Sequence, residues 1–232
     1  MKRSVVGVVA LLAALDACPA LAAQSDRVRI DAFLIDRTEV TIARYLDFVH
    51  NRGVTTAAER DGGGHEFVQG WQRRPGWSFR APFGVTGRDD EPATHLTWAE
   101  ADAYCRFVGG RLPTFEEWKL AAYTEFREAG DGDGRRRQTF PYPVGAESNG
   151  MNTADADGWP RLAPVGTTKA GINGLYDMGG NVWEWVADRR NGEALTAGGS
   201  FWYGAAQTRS EAAQWKSADF YAVYIGFRCA YD

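Results

Sequence analysis

Residues 171–185 read GINGLYDMGGNVWEW, a stretch with four glycines, two tryptophans and two acids. A buried strand rarely holds so many glycines, and a surface helix rarely exposes tryptophans. The acids, Asp177 and Glu184, flank glycines that let the backbone turn its carbonyls inward. Calcium binds carboxylate and main-chain carbonyl oxygens together. The stretch is therefore consistent with an oxygen cage for calcium.

A purely structural interpretation of the same stretch stays open. In it, Asp177 is a cap and Glu184 a surface acid, while Trp183 and Trp185 pack on alternate sides of a strand. Spacing alone does not decide between the two interpretations.

The first 22 residues are typical of a secretory signal peptide. A charged start, an apolar centre and a small-residue cleavage site follow one another: Lys2 and Arg3, residues 5–15, and residues 20–22. We expect cleavage after Ala22 and a periplasmic or secreted protein. A lipoprotein attached through Cys18 is an alternative, although Asp16 and the proline after Cys18 fit that pattern poorly.

The remaining residues, 23–232, predict a single domain. With 44% hydrophobic residues the chain can bury its own core, and its formal net charge of −4 does not favour nucleic acid or an anionic membrane. No segment after the signal is suited to a membrane span, and we expect a monomer.

Two cysteines remain after the predicted cleavage, Cys105 and Cys229. In an oxidising compartment two cysteines favour one disulfide. The alternative is a pair of buried free thiols.

Three segments carry helix signals. Thr41 and Gly53 mark the ends of the first, and the other two begin with a Thr-x-x-Glu capping box, Thr97 with Glu100 and Thr114 with Glu117. From about residue 125 the chain is rich in Gly, Pro, Asn and Asp and lacks periodicity. Either a disordered insertion or an ordered loop fits, and its large apolar residues favour the ordered loop.

Four phrases occur in order along the chain: RTEVTIARYLDFV, PATHLTWAEADAYCRFVGGRLPTFEEWKLAA, GLYDMGGNVWEWVAD and GGSFWY…GFRCAYD. Together they resemble the formylglycine-generating enzyme family, or sulfatase-modifying-factor domain, over nearly the whole mature chain. The resemblance implies an α+β fold, a variant of the C-type-lectin-like architecture that is poor in regular structure. It also implies bound calcium and a disulfide between the positions of Cys105 and Cys229.

The same resemblance implies two sets of calcium ligands. The first contains the side chains of Asp177 and Glu184 and the carbonyls of Gly180 and Val182. The second contains Asn152, Thr153, Asp157 and the carbonyl of Trp159, on a loop shorter than the family's.

The likeness breaks at the catalytic cysteines. Family members that make formylglycine bind copper(I) through two cysteines after the GGS element, because copper(I) requires soft thiolates. Here residues 198–228 contain no cysteine. Iron-dependent relatives add a His-rich domain, whereas this chain has only His50, His65 and His95, which we expect to be surface or packing residues.

Glu211 falls near the missing cysteines. A carboxylate in an aromatic cleft would have a raised pKa suited to general acid–base catalysis, and the alternative is a solvated acid beside Arg209. Two functions therefore stay open.

The first function is a calcium-stabilised auxiliary or ligand-binding module. Its groove would hold a peptide or small molecule through four residues: Trp202, Tyr203, Arg209 and Trp215. The second is a cysteine-independent oxidoreductase or maturation enzyme of the envelope that uses Glu211. It would resemble the family branch that matures the chromophore of pyoverdine-type siderophores.

Overall fold

The computed structural model describes residues 26–127, 136–154 and 158–232. The predicted signal peptide, Cys18 and Asp157 lie outside these residues. Within the described ranges, short helices and strands are joined by long irregular segments, as the α+β prediction requires. None of the helices in these ranges is long and apolar enough to cross a membrane.

The helices are α1 (Ile42–Arg52), α2 (Ala57–Arg60), α3 (Trp98–Phe107) and α4 (Phe115–Tyr123). Three of them, α1, α3 and α4, confirm the predicted helices. Thr41 accepts a hydrogen bond from the N–H of Arg44, and α1 ends at Gly53, whose φ of 63° is left-handed. Both predicted capping boxes are complete, because each threonine and its glutamate bond to the other's backbone N–H. Local capping signals in the sequence were therefore sufficient to predict these three helices.

The strands are β1 (Arg27–Ile30), β2 (Phe33–Asp36), β3 (Gly63–Phe67), β4 (Trp71–Pro75), β5 (Thr124–Arg127), β6 (Arg136–Thr139), β7 (Trp183–Arg190), β8 (Glu193–Ala197), β9 (Gln214–Ser217), β10 (Ile225–Phe227) and β11 (Ala230–Tyr231). They form a three-stranded sheet in the order β1-β2-β11, a four-stranded sheet in the order β10-β7-β8-β9, and the hairpins β3-β4 and β5-β6. Since β11 pairs with β2, the C-terminal end of the chain closes a sheet begun by its first described strands.

Strand β7 lies between two apolar clusters. Trp183 and Trp185 both belong to the cluster formed with α1, α3 and β10, whereas Val186 belongs to the cluster formed with α4, β1 and β2. Alternate residues of a strand face the same side. The expectation that the two tryptophans pack on opposite sides is therefore wrong, and so is a surface position for Glu184, whose exposure is 1%.

The irregular stretch after residue 125 is partly ordered by a hairpin and by burial. Strands β5 and β6 pair antiparallel within it, which its composition did not predict. Met151 and Leu162 are buried, so these parts of the stretch pack against the core. Both features agree with the ordered-loop interpretation for the described residues.

A disulfide joins α3 to the segment between β10 and β11. Cys105 and Cys229 are bonded, with their Cα atoms 5.5 Å apart across a sequence separation of 124 residues. Both residues are fully buried. The predicted disulfide is confirmed, and the alternative of two free thiols is wrong.

Beside the disulfide, the buried guanidinium of Arg228 connects four segments. Nε and Nη2 donate to the two carboxylate oxygens of Glu184, at 2.8 and 2.6 Å. Nη1 donates to the carbonyls of Asp36 and Arg37, and Nη2 donates also to that of Tyr176. A guanidinium has five N–H donors, so all of them are used.

Replacing Arg228 should therefore destabilise the protein strongly. Arg228→Met leaves the Glu184 carboxylate buried and uncompensated, and we expect a loss of about 3–5 kcal/mol in the free energy of unfolding. Arg228→Lys restores the charge but supplies three donors in place of five, so it should recover only part of that loss. Urea denaturation measures both variants.

Arg106→Met is the matched control, since Arg106 is an exposed arginine paired with Asp102 on the same helix. Its effect should stay within about 0.5 kcal/mol. Equal stability of the Arg228→Met and Arg106→Met variants would contradict the role assigned to the buried guanidinium.

Candidate functional site

The backbone of the predicted calcium stretch is coiled. Asp177, Gly180 and Asn181 have positive φ values of 60°, 87° and 50°. A Cβ atom on Gly180 would lie 2.1 Å from the carbonyl oxygen of Asn152, so only glycine fits there. The N–H groups of Gly180 and Asn181 donate to the carbonyls of Gly198 and Asn152, both at 2.8 Å. The stretch is thus fixed between two other loops.

Asp177 is buried within this coil, with 4% exposure. Its Oδ2 accepts the N–H of Gly166 at 2.8 Å, and its Oδ1 accepts the hydroxyl of Thr168 at 2.6 Å. Burial raises the pKa of the Asp177 carboxyl, although these two hydrogen bonds and the charge of Arg228 oppose the shift. The residue therefore does not act as an ordinary helix cap.

Glu184 faces Arg228 and α4. Besides the two bonds from Arg228, its Oε2 accepts the indole N–H of Trp118 at 2.7 Å. Because each carboxylate oxygen has two lone pairs, Oε1 retains acceptor capacity while Oε2 is used fully. Any cation at this carboxylate would share it with the guanidinium.

A third buried acid, Glu39, lies beside this pair. Its Oε2 accepts the amide N–H of Asn181 at 2.7 Å, and its Oε1 accepts the backbone N–H of Val182 at 3.2 Å. Burial, and then the charges of Asp177 and Glu184, raise the pKa of Glu39 well above its usual range. Glu39 stands in the phrase RTEVT, where no spacing or motif in the sequence indicated a role at this site.

The three acids and Arg228 form what we call the acid cluster: Glu39, Asp177, Glu184 and Arg228. Three buried carboxyl groups lie beside one guanidinium, and ionising all three would leave a net negative charge that a divalent cation would offset. The donors are all oxygens, as calcium prefers. No three His, Cys, Asp or Glu side chains of the described residues are grouped to hold a metal, so carbonyls would have to complete the ligand set. The chemistry of the donor set fits calcium on these terms.

The second predicted calcium set centres on Asn152. Its side-chain amide donates to the carbonyl of Arg161 and to Oδ1 of Asn181, at 2.9 and 3.0 Å. Asn152 is fully buried, yet its own Oδ1 has no hydrogen-bond partner among the described residues. Thr153 is also buried, whereas Trp159 is 37% exposed. The unpaired oxygen fits a cation or water ligand.

The four residues predicted to bind a ligand do not converge. Trp202 is 47% exposed and lines two adjoining clefts, of about 600 and 100 Å³, whereas Tyr203 packs against Trp183 with ring centroids 5.7 Å apart. Arg209 lies over the ring of Tyr142, and Trp215 is covered by an arginine of β7. Neither Arg209 nor Trp215 lines the two clefts around Trp202. Of the four residues, Trp202 is the one that lines these two clefts, and a single groove formed by all four stays a prediction.

Glu211 lines a different cleft, of about 350 Å³, together with residues of α4. Its side chain is 70% exposed and lies 3.8 Å from the guanidinium of Arg209. A hydrogen bond to its own backbone lowers its pKa, and Ser210 and Arg209 act in the same direction. The expected raised pKa is wrong, and the structure agrees with the solvated acid beside Arg209.

The three histidines behave as expected for packing or surface residues. His95 is buried, its Nε2 lies 2.9 Å from the carbonyl oxygen of Pro82, and burial lowers its pKa to about 4. His65 contacts the carbonyl of Tyr221, and His50 is exposed.

The stretch without cysteines also contains a lysine that no sequence motif distinguishes, Lys216. Lys216 in β9 is half-buried, with Nζ 4.9 Å from the centroid of a Trp183 ring. Nζ donates to the side-chain oxygen of Gln214 at 2.7 Å. Burial lowers its pKa to about 8. The sequence indicated little about this lysine. The two-residue spacing of Gln214 and Lys216 places both on one face of a strand, and this was its one relevant feature.

Comparison with known proteins agrees with this architecture. Residues 12–232 match the sulfatase-modifying factor enzyme 1-like domain. The formylglycine-generating enzyme of Thermomonospora curvata is 30% identical, over 88% of this chain and 84% of that protein. The corresponding enzyme of Streptomyces coelicolor is 36% identical, over 69% of this chain and 59% of that protein.

Solved structures give the same result for the fold. PvdO from Pseudomonas aeruginosa superposes with a TM-score of 0.59 and 22% identity, covering 85% of this chain and 79% of PvdO. The sequence matches show that this chain belongs to the family of the sulfatase-modifying factor enzyme 1-like domain, and the shared fold agrees with that assignment.

Proposed function

We propose that this protein is a periplasmic or secreted ligand-binding module, stabilised by calcium, that does not catalyse cysteine oxidation with copper. The observation that carries the proposal is the pair of adjoining clefts around Trp202, which we call the aromatic groove. Its lining residues are Glu66, Phe67, Phe83, Thr153, Ala154, Gly158, Trp159, Pro160, Arg161, Phe201, Trp202, Val223 and Tyr224.

The aromatic groove has the character of a binding site. Its larger cleft of about 600 Å³ lies in the usual range for small-molecule and peptide sites, roughly 300–1,000 Å³. Three of its large apolar side chains are exposed, Phe67 by 40%, Trp159 by 37% and Trp202 by 47%. Exposed aromatic side chains grouped in one concavity are typical of interaction sites. The open shape and these side chains favour an extended peptide with apolar residues.

Two polar groups at the aromatic groove set its charge. Glu66 is paired with Arg74, so its charge is largely offset. Arg161 is exposed and lies 4.4 Å from the ring centroid of Phe83. The groove is therefore mainly apolar, with a cation at one edge.

The alternative function, an envelope enzyme that uses Glu211, has less support. A general acid requires a pKa raised toward neutrality, and Glu211 is exposed with a lowered pKa. Its cleft is separate from the aromatic groove. The fold shared with PvdO does not by itself assign that activity.

A random peptide library displayed on phage tests the proposed groove. We expect the wild-type protein to enrich peptides with apolar residues and Trp202→Ala to lose that enrichment, because the exposed indole is the largest apolar surface of the groove. Phe107→Ala is the matched control, since Phe107 is a 36% exposed aromatic residue that packs against Phe48 and lines neither cleft. Equal enrichment on wild type and Trp202→Ala, or none on either, would contradict the proposal.

Calcium should stabilise the fold through the acid cluster. A ligand at about 100 times its Kd adds roughly 2.7 kcal/mol, or about 5–10 °C in the melting temperature of a chain of this size. We expect chelator to lower the midpoint of the wild type by such an amount. Asp177→Asn should reduce this calcium-dependent difference, because it removes a carboxylate from the proposed ligands.

Asp90→Asn provides the control for a lost negative charge. Asp90 is an exposed acid paired with Arg88, far from the acid cluster in sequence. Its calcium-dependent shift should equal that of the wild type. If chelator leaves the wild-type midpoint unchanged and elemental analysis finds no calcium, the calcium proposal fails.

Copper(I) should not bind tightly, and the protein should not oxidise a sulfatase-type Cys-x-Pro-x-Arg peptide. Residues 198–228 supply no thiolate, and the disulfide holds the sulfur atoms of Cys105 and Cys229. Mass spectrometry of the peptide, with copper and reductant supplied, measures the outcome. A copper-dependent aldehyde would place this chain among the oxidases.

A further inference from the structure

The smaller cleft of the aromatic groove, which we call the inner cleft, has the size of a single side chain. Its volume is about 100 Å³, and it shares Pro160, Phe201 and Trp202 with the larger cleft. An apolar cavity of about 150 Å³ holds one benzene ring. The inner cleft is smaller than that, so a branched aliphatic side chain fits it better than an aromatic one. A chain that lies in the larger cleft can place its end in the inner one.

Two charged residues line the inner cleft, Glu66 and Arg161. Oε1 of Glu66 accepts a hydrogen bond from Nε of Arg74, so the charge of this carboxylate is offset. Arg161 is exposed, and no carboxylate of the described residues forms an ion pair with it. The lining therefore carries one positive charge without a counter-ion beside an apolar concavity.

The ring of Phe83 holds the guanidinium of Arg161 at the inner cleft. The guanidinium carbon lies over this ring, 4.4 Å from its centroid, and Phe83 is itself a wall of the cleft. A cation–π contact of this kind restricts the side chain but uses none of the five N–H donors. Their planar arrangement matches the two oxygens of a carboxylate. The inner cleft thus combines an aliphatic-sized space with a donor group for a carboxylate.

We propose that the aromatic groove binds the C-terminus of a peptide whose last residue is branched and aliphatic. The last side chain occupies the inner cleft, the terminal carboxylate accepts hydrogen bonds from Arg161, and the preceding residues lie in the larger cleft. This inference rests on the proposed peptide binding by the groove and adds the chemistry of the ligand's end.

A C-terminal residue satisfies both features of the inner cleft at once. Its side chain and its carboxylate are bonded to the same Cα atom, whereas an internal residue carries either an aliphatic side chain or a carboxylate. A free amino acid also has both groups, but it would leave the larger cleft of about 600 Å³ unfilled. The two adjoining clefts therefore favour a peptide.

Synthetic peptides labelled with fluorescein at the N-terminus test the proposal by fluorescence anisotropy. Two of them share one apolar sequence that ends in leucine, and one has a free carboxylate while the other is amidated. We expect the free acid to bind at least about tenfold more tightly, because amidation removes charge-assisted hydrogen bonds. A third peptide, amidated and with glutamate before the leucine, should bind no more tightly than the amide.

Variants of Arg161 connect this preference to the inner cleft. Arg161→Met should abolish the difference between acid and amide and leave binding of the amide unchanged, since the apolar contact with Phe83 remains. Arg161→Lys should keep part of the difference, because it retains the charge but not the planar fork. Arg106→Met is the matched control, since Arg106 is an exposed arginine of α3 that lines neither cleft, and it should keep the whole difference.

The identity of the last residue tests the size of the inner cleft. Peptide acids that end in leucine should bind at least about fivefold more tightly than those that end in tryptophan, because an oversized group strains a packed site. The reverse order would overturn the proposal.

The failure of this inference is distinguishable from failure of the proposed function. Equal binding of acid and amide, tight binding of the glutamate peptide, or an undiminished preference in Arg161→Met would overturn C-terminal recognition and leave the groove as a peptide site. Absence of binding by every peptide would contradict both proposals.

Discussion

The ion pair between Arg228 and Glu184 is the interaction on which the arrangement of the domain depends. Glu184 belongs to β7, the strand between the two apolar clusters, and Arg228 follows β10, the strand parallel to it. The remaining donors of Arg228 hold carbonyls from the end of β2 and from the glycine-rich stretch. A buried pair of this kind contributes little net stability over an apolar substitute. Its effect is to specify which segments meet.

Hydrogen bonds of the acid cluster likewise hold irregular segments of the fold together. Glu39 binds Asn181, and Asn181 in turn binds Asn152, so three loops with little regular structure are connected by side-chain amides. Backbone ladders cannot fix such loops, and hydrogen bonds from buried polar groups take over that role. The proposed calcium would compensate the charge of the carboxyl groups in this network.

Much of the fold was predictable because its signals are local. The capping boxes at Thr97 and Thr114 specify helix starts within four residues. The two cysteines that remain after the predicted cleavage leave only one possible intramolecular disulfide. A third box, Thr56 with Glu59, begins the short helix α2 and carries the same signature, but its helix has only four residues and no apolar period to support it. The hairpin β5-β6 was hidden for a related reason, since its strands have no alternating apolar pattern.

The candidate site was less predictable, because burial and pairing depend on the whole fold. Spacing indicated that Asp177 and Glu184 act together, but it could not show that Glu39 lies beside them from the other end of the chain. Glu211 and Lys216 also show that burial could not be predicted from the sequence. Both occupy the stretch that lacks the family's cysteines, yet the fold exposes the acid and half-buries the amine. Exposure keeps the carboxylate of Glu211 ionised, whereas partial burial lowers the pKa of the Lys216 amine. The charge state of each group is therefore set by the surrounding fold, which the sequence pattern of this stretch does not contain.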